Sequence, residues 1–507
     1  MRSLAQTLML QGTASSVGKS LLTAALCRIF RQDGFHVAPF KAQNMALNAA
    51  VAPGGGEIGR AQAVQAEAAG IPPTVEMNPI LLKPEGGMRS QVVVMGKSAG
   101  SMTWSEYQGK RSEWVAIVDD CIARLRREFD VIVIEGAGSP AEINLRGQDL
   151  VNMHVAAVAE APVLLVGDID RGGVFAHLAG TMEVLPRDER ARIAGFVINK
   201  FRGDAALLKT GLDYLTSRYC IPVLGVVPFV ERLRIAEEDS VALENRSRTA
   251  SAKDDLQIMV IRLPSISNYD DFSALEHEAG VAVSYVDSAD GFGRADLVII
   301  PGSKSTTNDL AWLRREGIDR ALAKRAIEDS RILGICGGCQ MLGEKILDPE
   351  QVESSEREVR GLGLLPLITH FQPAKRTTQV HARIDAASFL GDRATDLIDA
   401  YEIHMGRTQA RSETRSPFRI VSRNGESCDA ADGAISGSGT TVGTMLHGIF
   451  ENDRVRAAML TSLRARKGIS AIEGAPVASR DAEYDRVADT VRAALDMTAL
   501  KRIVGLS

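Results

Sequence analysis

Short apolar runs alternate with amphipathic stretches through the first half of the chain. The runs are continuous rather than alternating, which is typical of strands buried on both faces of a parallel sheet. After the glycine-rich segment near the N-terminus, apolar residues at positions 21, 22, 25, 26 and 29 follow helical spacing. The predicted strands are 8–10, 37–40, 131–134, 163–166, 195–198 and 223–227. The pattern predicts a doubly wound α/β domain.

The second half of the chain repeats this pattern after a polar interval. Residues 237–255 are mostly charged or small, with few apolar anchors, and we interpret them as a linker. The apolar runs that follow are 258–261, 281–286, 297–300 and 332–335. They predict a second α/β domain, in which the strands look more mixed from about residue 361.

The last stretch of the chain carries a helical stripe of apolar residues between positions 484 and 495, accompanied by charges of both signs. Mixed charges favour a helix that packs onto its own domain over one that lies on a membrane or a partner. The predicted domains are 1–236, the linker 237–255, 256–455 and a helical extension at 456–507.

Composition narrows the classes of function. A chain of 507 residues exceeds what one hydrophobic core usually serves. The net charge of -5 and the absence of a basic run argue against a nucleic-acid partner. No apolar run approaches the ~20 residues that span a bilayer, and the N-terminus lacks the pattern of a signal peptide. Scattered cysteines fit reduced thiols, so we expect a cytoplasmic enzyme with no membrane partner.

The segment from Gly12 to Ser20 joins the first predicted strand to the first helix and has the composition of a phosphate-binding loop. Backbone N–H groups at a helix N-terminus bind anions, and a lysine adds a positive charge beside the transferred phosphate. The expected ATP-binding residues are Gly12, Thr13, Gly18, Lys19 and Ser20. Five residues rather than four separate Gly12 from the Gly-Lys pair. This spacing resembles the loop of dethiobiotin synthetase and its relatives, which activate a carboxylate with ATP.

Two further residues at strand ends fit the same site. In the dethiobiotin synthetase superfamily a lysine lies beside the phosphoryl group, and Lys41 matches that position. Glu135 ends the third predicted strand, at the edge where parallel α/β sheets bind ligands, and with the hydroxyl of Ser20 it predicts a Mg²⁺ site. Other polar residues at strand ends are Asp168 and Asp170, for which a helix cap or salt bridge is the alternative, and Asn199 and Lys200, which could face the base.

A second turn with a reactive residue follows the strand 332–335. Cys336 is followed by two glycines and then by a helical pattern, as is typical of a nucleophile on a strained strand-to-helix turn. The helix N-terminus favours the thiolate, and the N–H of Gly337 can stabilise an oxyanion. Gly302, after the preceding strand, is the candidate for the second oxyanion donor.

The alternative for this motif is a metal or redox pair formed by Cys336 and Cys339. A zinc site needs about four ligands, and the sequence has no second closely spaced cysteine pair. A redox motif would be expected in the first βαβ unit of a thioredoxin-like domain. We therefore interpret Cys336 as a nucleophile and Cys339 as a packing residue. The expected general base for Cys336 is His447, at the end of a strand-like run and before a glycine, with His404 as the competitor.

The two motifs together resemble the cobyric acid synthase family, the glutamine-hydrolysing amidotransferases of cobalamin biosynthesis. The stretches that carry this resemblance are 40–48 (FKAQNMALN), 57–62 (EIGRAQ), 78–84 (NPILLKP), 301–306 (PGSKST) and 446–452 (LHGIFEN). The resemblance implies a class I glutamine amidotransferase domain in the C-terminal half. It also implies four successive amidations, at the b, d, e and g carboxylates of adenosylcobyrinic acid a,c-diamide, each using one ATP and one glutamine.

One position departs from the wider amidotransferase pattern, in which an acidic residue two places after the histidine orients its ring. That position here is Ile449, so the orienting group is either absent, as in a Cys–His dyad, or supplied by another residue such as Glu451. The nearest alternative function is cobyrinic acid a,c-diamide synthase, against which the stretch 40–48 argues. More distant alternatives are amidation of a cell-wall precursor and a P-loop nucleotide switch. A switch would leave the cysteine motif unexplained.

Overall fold

The computed structural model describes residues 4–86, 88–231, 233, 235, 256–293, 295–328, 330–469 and 479–506. These residues form two compact units. Of these described residues, those in the ranges 4–46, 57–235 and 479–506 belong to the first unit, and those in the ranges 47–56 and 256–469 belong to the second. The predicted linker, 237–255, lies outside the described residues.

The elements of the N-terminal half are mostly those of an α/β domain. Up to residue 231 the strands are β1 (Gln6–Gly12), β2 (Val37–Phe40), β3 (Gln43–Met45), β4 (Ala49–Val51), β5 (Glu57–Gly59), β6 (Ile80–Gly86), β7 (Arg89–Val94), β8 (Lys97–Thr103), β9 (Val131–Glu135), β10 (Val163–Asp168), β11 (Ile193–Phe201) and β12 (Val223–Pro228). The α-helices are α1 (Lys19–Gln32), α2 (Arg60–Ala69), α3 (Trp104–Gly109), α4 (Arg111–Glu128), α5 (Met153–Val158), α6 (Val174–Val184), α7 (Arg187–Arg190) and α8 (Lys209–Tyr219).

A parallel six-stranded sheet in the order β12-β11-β10-β1-β9-β2 forms the centre of the first unit. β2, β9 and β10 are buried along their whole length, as expected for a sheet covered on both faces. Because these strands run in the same direction, their carboxyl ends meet at one edge. At this edge β1 ends at Gly12 and β9 ends at Glu135.

The second half of the chain adds more antiparallel structure. Its strands are β13 (Leu256–Ile261), β14 (Ile266–Ser267), β15 (Val281–Val286), β16 (Leu297–Ile300), β17 (Gly302–Ser303), β18 (Arg331–Ile335), β19 (Lys345–Leu347), β20 (Glu358–Arg360), β21 (Leu367–Ile384), β22 (Ile398–Ala410), β23 (Phe418–Arg423), β24 (Glu426–Asp432), β25 (Ala434–Ile435) and β26 (Thr441–Thr444). The α-helices are α9 (Ser273–Glu276), α10 (Thr306–Arg315), α11 (Ile318–Ile327), α12 (Gly337–Leu342), α13 (Asp453–Lys467), α14 (Arg480–Ala494) and α15 (Met497–Val504).

The two six-stranded sheets of the second unit differ in character, and β14 and β17 form a separate antiparallel pair. One has the order β15-β13-β16-β18-β26-β25 and is parallel except for β25, which runs antiparallel to β26. The other has the order β20-β19-β21-β23-β24, and the long strand β22 also pairs antiparallel with β21. The parallel sheet brings the ends of β16, β18 and β26 to one edge, where the reactive residues of this unit lie.

The C-terminal helices correct the predicted extension at 456–507, because that stretch is divided between the units. Helix α13 belongs to the second unit, whereas α14 and α15 belong to the first. Val487 of α14 is buried in the same apolar cluster as the inner face of α1, and Arg28 of α1 forms an ion pair with Asp485 at 2.7 Å. The apolar stripe correctly predicts that α14 packs against its own domain. It does not identify α1 as the partner, because α1 lies far from α14 in sequence.

The α/β fold class predicted from the sequence is confirmed. Every predicted strand of the two sheets lies within an observed strand, and the differences are a few residues at the ends. Burial on both faces explains this agreement, because the apolar run then coincides with the strand itself. Over the described ranges, no helix combines the length and the apolar character needed to cross a membrane.

Candidate active sites

The loop between β1 and α1 folds around two glycines that leave no room for a side chain. A Cβ atom on Gly12 would lie 2.6 Å from Val17 Cγ2 and 2.8 Å from the carbonyl oxygen of Ala14. Gly18 has a φ of 94°, in the region that favours glycine, and a Cβ there would come within 2.2 Å of Asn199 Nδ2. A loop with so little side-chain bulk allows its backbone N–H groups to approach a phosphate closely.

Lys19 places a buried ammonium group inside this loop. Its Nζ donates hydrogen bonds to the carbonyl oxygens of Ala14 and Gly138, both at 3.1 Å. Thr13 donates its backbone N–H to the carbonyl of Val166 in β10, at 3.0 Å, which joins the start of the loop to the sheet. A positive charge enclosed by backbone groups at a helix N-terminus is suited to a phosphate.

Asn199 and Lys200, at the end of β11, form hydrogen bonds with the backbone of the loop between β1 and α1. Asn199 Nδ2 donates to the carbonyl of Val17 at 2.8 Å, and Lys200 Nζ donates to that of Ser16 at 2.5 Å. Lys200 Nζ also forms an ion pair with Asp168 at 2.9 Å, which is the salt-bridge alternative considered for that aspartate. Asn199 and Lys200 therefore both contact the loop backbone, and Lys200 also contacts Asp168.

Glu135 is the centre of a buried polar cluster at the end of β9. Its Oε1 accepts hydrogen bonds from Ser20 Oγ at 2.8 Å and Lys41 Nζ at 3.0 Å, and its Oε2 accepts one from Gln65 Nε2 at 2.6 Å. Burial by itself would raise the pKa of Glu135, but Lys41, Gln65 and Lys19 outweigh burial and lower it. The carboxylate is therefore ionised although its residue is 1% exposed.

These donors suit a magnesium ion that arrives with a nucleotide. Mg²⁺ takes hard oxygen ligands, usually one or two from the protein and the rest from phosphate and water. The hydroxyl of Ser20 and the carboxylate of Glu135 are such ligands, and they lie within 2.8 Å of each other. In the part of the chain that the structure describes, no group of three His, Cys, Asp or Glu side chains could hold a metal unaided. The residues present therefore fit a nucleotide-bound ion.

Cys336 lies at the turn between β18 and α12, with φ 50° and ψ −108°. Residues that carry a side chain rarely adopt this conformation, and strained turns of this kind present nucleophiles. The turn requires a glycine nearby, because a Cβ on Gly338 would lie 2.0 Å from the carbonyl oxygen of Ile300. Cys336 is buried, and its Sγ is 3.5 Å from the carbonyl oxygen of Ile403.

His447 lies beside Cys336 because of the sheet topology. It follows β26, which pairs in parallel with β18, so both strands deliver their next residues to the same edge. The backbone N–H of Cys336 donates to the carbonyl oxygen of Thr444 at 2.8 Å, and His447 is close enough to Cys336 for the charge of Cys336 to raise the pKa of the ring. Its Nδ1 is 2.7 Å from Asp271 Oδ2, and Asp271 Oδ1 accepts the N–H of Gly448 at 2.8 Å. Cys336, His447 and Asp271 thus lie in the order of a Cys–His–Asp triad, an arrangement suited to a nucleophile, a base and an acid that orients the base.

Asp271 corrects the sequence-based suggestion of Glu451 as the orienting group. Glu451 is exposed, whereas Asp271 is 3% exposed and lies in the 3₁₀ turn Tyr269–Phe272 that follows β14. The sequence contains a local sign that Asp271 is buried: the acidic pair 270–271 stands between the aromatic residues Tyr269 and Phe272, just after a short strand. Both aromatic residues are buried, so the acids beside them are drawn into the interior. The local pattern does not identify their distant partner.

The electrostatics of His447 suit a proton donor. Burial disfavours the charged ring, but the carboxylate of Asp271 and the charge of Cys336 outweigh burial and raise the pKa of His447 to about 10. At neutral pH the ring is therefore protonated. Tyr401 stacks on it, with ring centroids 5.2 Å apart and planes inclined by 15°, which fixes the plane of the imidazole.

His404, the competing base, faces away from the thiol. It lies three residues after Tyr401 on β22, and because side chains alternate along a strand, the two point to opposite faces. His404 Nδ1 is 3.1 Å from the carbonyl oxygen of Gly406, and its Nε2 is 3.6 Å from Glu402 Oε1. The geometry therefore brings His447, and not His404, to Cys336.

Of the two glycines expected to supply oxyanion donors, Gly337 lies at the turn after Cys336 and Gly302 lies in β17, the strand next to that turn. Gly337 follows the nucleophile, and a Cβ on it would lie 2.9 Å from the backbone nitrogen of Ser303. A Cβ on Gly302, in β17, would lie 3.0 Å from His447 Cε1. Ser303 Oγ donates to Asp309 Oδ2 at 2.6 Å, which holds the end of β17 in place. Two backbone segments thus meet beside the thiol and the imidazole, as an oxyanion site requires.

Cys339 has the environment of a packing residue. It is fully buried in α12, and burial raises the pKa of its thiol well above the usual value. A Cβ on Gly443 of the neighbouring strand would lie 2.8 Å from its Sγ, so the thiol fills the space between helix and sheet. A buried thiol that resists ionisation is a poor nucleophile and a poor metal ligand.

Sequence profiles of two families match the two halves of the chain. The "CobQ/CobB/MinD/ParA nucleotide binding domain" matches residues 8–242, and the "CobB/CobQ-like glutamine amidotransferase domain" matches residues 257–455. Together with the two sites, these matches define the class: the chain is a nucleotide-binding glutamine amidotransferase.

Relatives that match the whole chain narrow this class. A cobyric acid synthase of Sorangium cellulosum (strain So ce56) is 57% identical over 515 residues, which cover 99% of each chain. One of Moorella thermoacetica (strain ATCC 39073 / JCM 9320) is 49% identical over 508 residues, covering 99% of this chain and 98% of the relative. The chain belongs to the cobyric acid synthase family. It is a ligase of cobalamin biosynthesis that uses glutamine and a nucleotide.

Proposed function

We propose that this chain amidates the b, d, e and g carboxylates of adenosylcobyrinic acid a,c-diamide, with ATP as the activating nucleotide and glutamine as the nitrogen donor. The observation that carries the proposal is the presence of two sites in one chain, a phosphate loop beside a buried carboxylate and a Cys336–His447 pair. The whole-chain identity to cobyric acid synthases supports the corrinoid substrate. A carboxylate is a poor acceptor of ammonia, which explains why the amidotransferase needs a nucleotide site.

In the first unit, the N–H groups of the loop after Gly12 and the ammonium of Lys19 hold the phosphates of ATP. Ser20 and Glu135 would hold Mg²⁺, whose charge would offset negative charge on those phosphates. Lys41 adds a second fixed positive charge beside Glu135. With these charges in place, a substrate carboxylate oxygen attacks the γ-phosphorus, the bond from that phosphorus to the ADP oxygen breaks, and an acyl phosphate forms.

The acyl phosphate is the electrophile for ammonia. Ammonia attacks the carbonyl carbon, inorganic phosphate leaves, and one proton is released as the amide forms. Each amide therefore consumes one ATP and one ammonia, and ADP and phosphate are the products of the nucleotide. This stoichiometry distinguishes the proposed reaction from simple ATP hydrolysis.

In the second unit, Cys336 as thiolate attacks the side-chain amide carbon of glutamine. The N–H groups of Gly337 and Gly302 stabilise the negative oxygen of the intermediate. The intermediate collapses to a thioester as protonated His447 gives its proton to the departing ammonia. Neutral His447 then takes a proton from water, which attacks the thioester and releases glutamate. Asp271 orients the ring throughout and stabilises its charged form.

The test is to supply the purified enzyme with ATP, glutamine and adenosylcobyrinic acid a,c-diamide and to follow the corrinoid by mass spectrometry. The proposal predicts four successive acid-to-amide conversions, each accompanied by one ADP and one glutamate. A parallel reaction with cobyrinic acid distinguishes the nearest alternative. Amidation confined to the a and c carboxylates of cobyrinic acid would assign the chain to a,c-diamide synthesis instead.

A further inference from the structure

A ten-residue segment from the N-terminal half, 47–56, belongs to the second unit. Gln379 Nε2, on β21, donates to the carbonyl of Val51 at 3.0 Å. Gly55 has a φ of 93°, and a Cβ there would lie 2.8 Å from the carbonyl oxygen of Thr377. The segment is therefore built into the unit that holds Cys336. It begins at the end of the stretch 40–48, which carries the family resemblance.

Two asparagines join this segment to the turn that contains Asp271. The N–H of Tyr269 donates to Asn48 Oδ1 at 3.3 Å, and the N–H of Ala49 donates to Asn268 Oδ1 at 3.3 Å. Each asparagine side chain thus binds the backbone of the other segment. Asn48 is 0% exposed and Asn268 is 3% exposed, so bulk water does not compete for these hydrogen bonds.

The turn leads from Asn268 directly to the base. Asn268 has a φ of 52°, in the left-handed region that asparagine tolerates better than most residues. The N–H of Asp271 donates to the carbonyl of Asn268 at 3.1 Å, which closes the turn. The carboxylate of Asp271 then contacts both His447 and Gly448. A continuous series of hydrogen bonds and one short turn therefore connects Asn48 to His447.

We propose that Asn48 is a positioning residue for glutamine hydrolysis and that it acts through Asp271. The inference rests on the proposed roles of Cys336 and His447. In an oriented active site a displacement of about 1 Å can cost about 10²-fold in rate, so a side chain that fixes the turn affects catalysis without touching substrate. Asn48→Ala removes one of the two cross-connections. We expect kcat for glutamine hydrolysis to fall about 10-fold, with KM for glutamine changed less than about 2-fold.

The pH profile separates this role from a general loss of stability. His447 is faced by the carboxylate of Asp271, the thiol of Cys336 and the ring of Tyr401. Asp271 stabilises the protonated ring, so a loosely held carboxylate lowers the pKa of His447. The alkaline limb of the profile, where the ring loses its proton, then moves to lower pH. A variant that merely unfolds in part loses amplitude at every pH and keeps the limb in place.

The experiment compares full-length variants at three positions, and adds Asp271→Asn, alone and combined with Asn48→Ala, and Cys336→Ala. Asn48→Ala removes one asparagine side chain, and Asn268→Gly removes the other while glycine keeps the left-handed turn. Gln379→Ala is the matched control, because it removes a hydrogen bond to the same segment at a residue that does not contact the turn. Each variant is assayed for glutamine hydrolysis across pH and for ATP-dependent amidation with added ammonia. Titration of Cys336 with a glutamine-analogue alkylator counts the folded sites.

We expect Asn48→Ala and Asn268→Gly to lower kcat per titratable Cys336 and to shift the alkaline limb to lower pH, while both variants retain amidation with ammonia. Gln379→Ala should change neither kcat nor the position of the limb. We also expect that Asn48→Ala adds no further loss to Asp271→Asn, because both act on one contact. An unchanged limb in Asn48→Ala and Asn268→Gly, or losses that add fully, would overturn the inference. The proposed function would survive that outcome as long as Cys336→Ala abolishes glutamine hydrolysis. If Cys336→Ala still hydrolyses glutamine, both fail.

Discussion

Glu135 in the first unit and Asp271 in the second are both buried carboxylates, but they differ in which partner's pKa is changed. The lysines beside Glu135 lower the pKa of the acid, whereas Asp271 raises the pKa of the histidine beside it. The pKa of Glu135 is lowered by lysines whose charge is fixed, so the acid stays ionised for a cation. Asp271 faces an imidazole that can gain or lose its charge, and it raises the pKa of His447 to about 10. The partner of a buried acid therefore decides which group changes its charge: lysine keeps the acid ionised, whereas histidine is itself protonated because of the acid.

The two reactive loops show the same contrast at the level of the backbone. Each joins a parallel strand to a helix and contains glycines at which a Cβ would clash. In the loop ending at Ser20, the ammonium of Lys19 lies against backbone carbonyl oxygens at the start of α1, so this loop suits an anion that arrives from outside. In the turn at Cys336, a non-glycine residue adopts φ 50°, and the proposed nucleophile is part of the chain. The same kind of strand-to-helix connection thus suits the proposed binding role in one unit and the proposed covalent chemistry in the other.

Lys19→Ala should give the largest effect and separate the units most sharply. Without the ammonium, the charge that develops on the transferred phosphoryl group lacks its nearest cation, so amidation should be eliminated with glutamine and with ammonia alike. Cys336 of the same variant should still react with a glutamine-analogue alkylator. Lys209→Ala, which removes an exposed lysine paired with Asp213, is the control and should keep full amidation. Normal ADP release by Lys19→Ala would show that ATP binds elsewhere.

His447→Ala should come next, with glutamine hydrolysis reduced roughly 10²–10⁴-fold, the range for a general acid–base group. Amidation with added ammonia should stay near the wild-type rate, because the nucleotide site is intact. The comparison variant is His404→Ala, whose imidazole faces Glu402 rather than the thiol. Steady-state glutaminase assays on both variants decide the matter, and a large loss in His404→Ala with none in His447→Ala would reverse the assignment.

Asp271→Asn should have a smaller effect on rate and a distinct effect on pH dependence. The amide keeps the shape of the side chain but removes the charge that stabilises protonated His447, so the pKa of that ring falls below about 10. We expect kcat to fall about 10²-fold, within the roughly 10⁴-fold cost of losing the orienting acid in a serine triad. The alkaline limb of the glutaminase profile should move to lower pH. Glu451→Gln, at the exposed acid, serves as the control, and a shifted limb there instead would favour Glu451.

Cys339→Ala should have the smallest effect. Because this thiol fills space between α12 and the sheet, its removal should lower the free energy of unfolding by about 1 kcal/mol and leave glutamine hydrolysis within about 2-fold of wild type. Denaturant titration and a glutaminase assay measure the two quantities. Loss of activity comparable to that of Cys336→Ala would mean that the two cysteines act as a pair.

Most of the fold and both reactive loops are predictable from the sequence, because their signals are local. A parallel strand buried on both faces is a continuous apolar run, and the loop at Gly12 and the turn at Cys336 need glycines at fixed offsets from their reactive residues. His447 is predictable in the same way, from its position at a strand end before a glycine.

Contacts between distant segments explain what the sequence does not predict. Asp271 meets a histidine 176 residues later, and nothing in the acidic pair at 270–271 specifies that partner. Asn48 lies in the N-terminal half but hydrogen-bonds Tyr269, which no periodicity indicates. The stripe on α14 predicts a packed helix but not that it covers α1. In each case the local pattern defines the element, and only the folded chain defines its neighbour.

The nitrogen source used by Cys336→Ala tests the two-site account most directly. The variant is supplied with ATP and adenosylcobyrinic acid a,c-diamide, together with either glutamine or ammonium, and amide formation is measured by mass spectrometry. We predict that glutamine no longer supports amidation, while ammonium supports it at close to the wild-type ammonia-dependent rate. Loss of both activities in a folded variant, or continued amidation from glutamine, would contradict it.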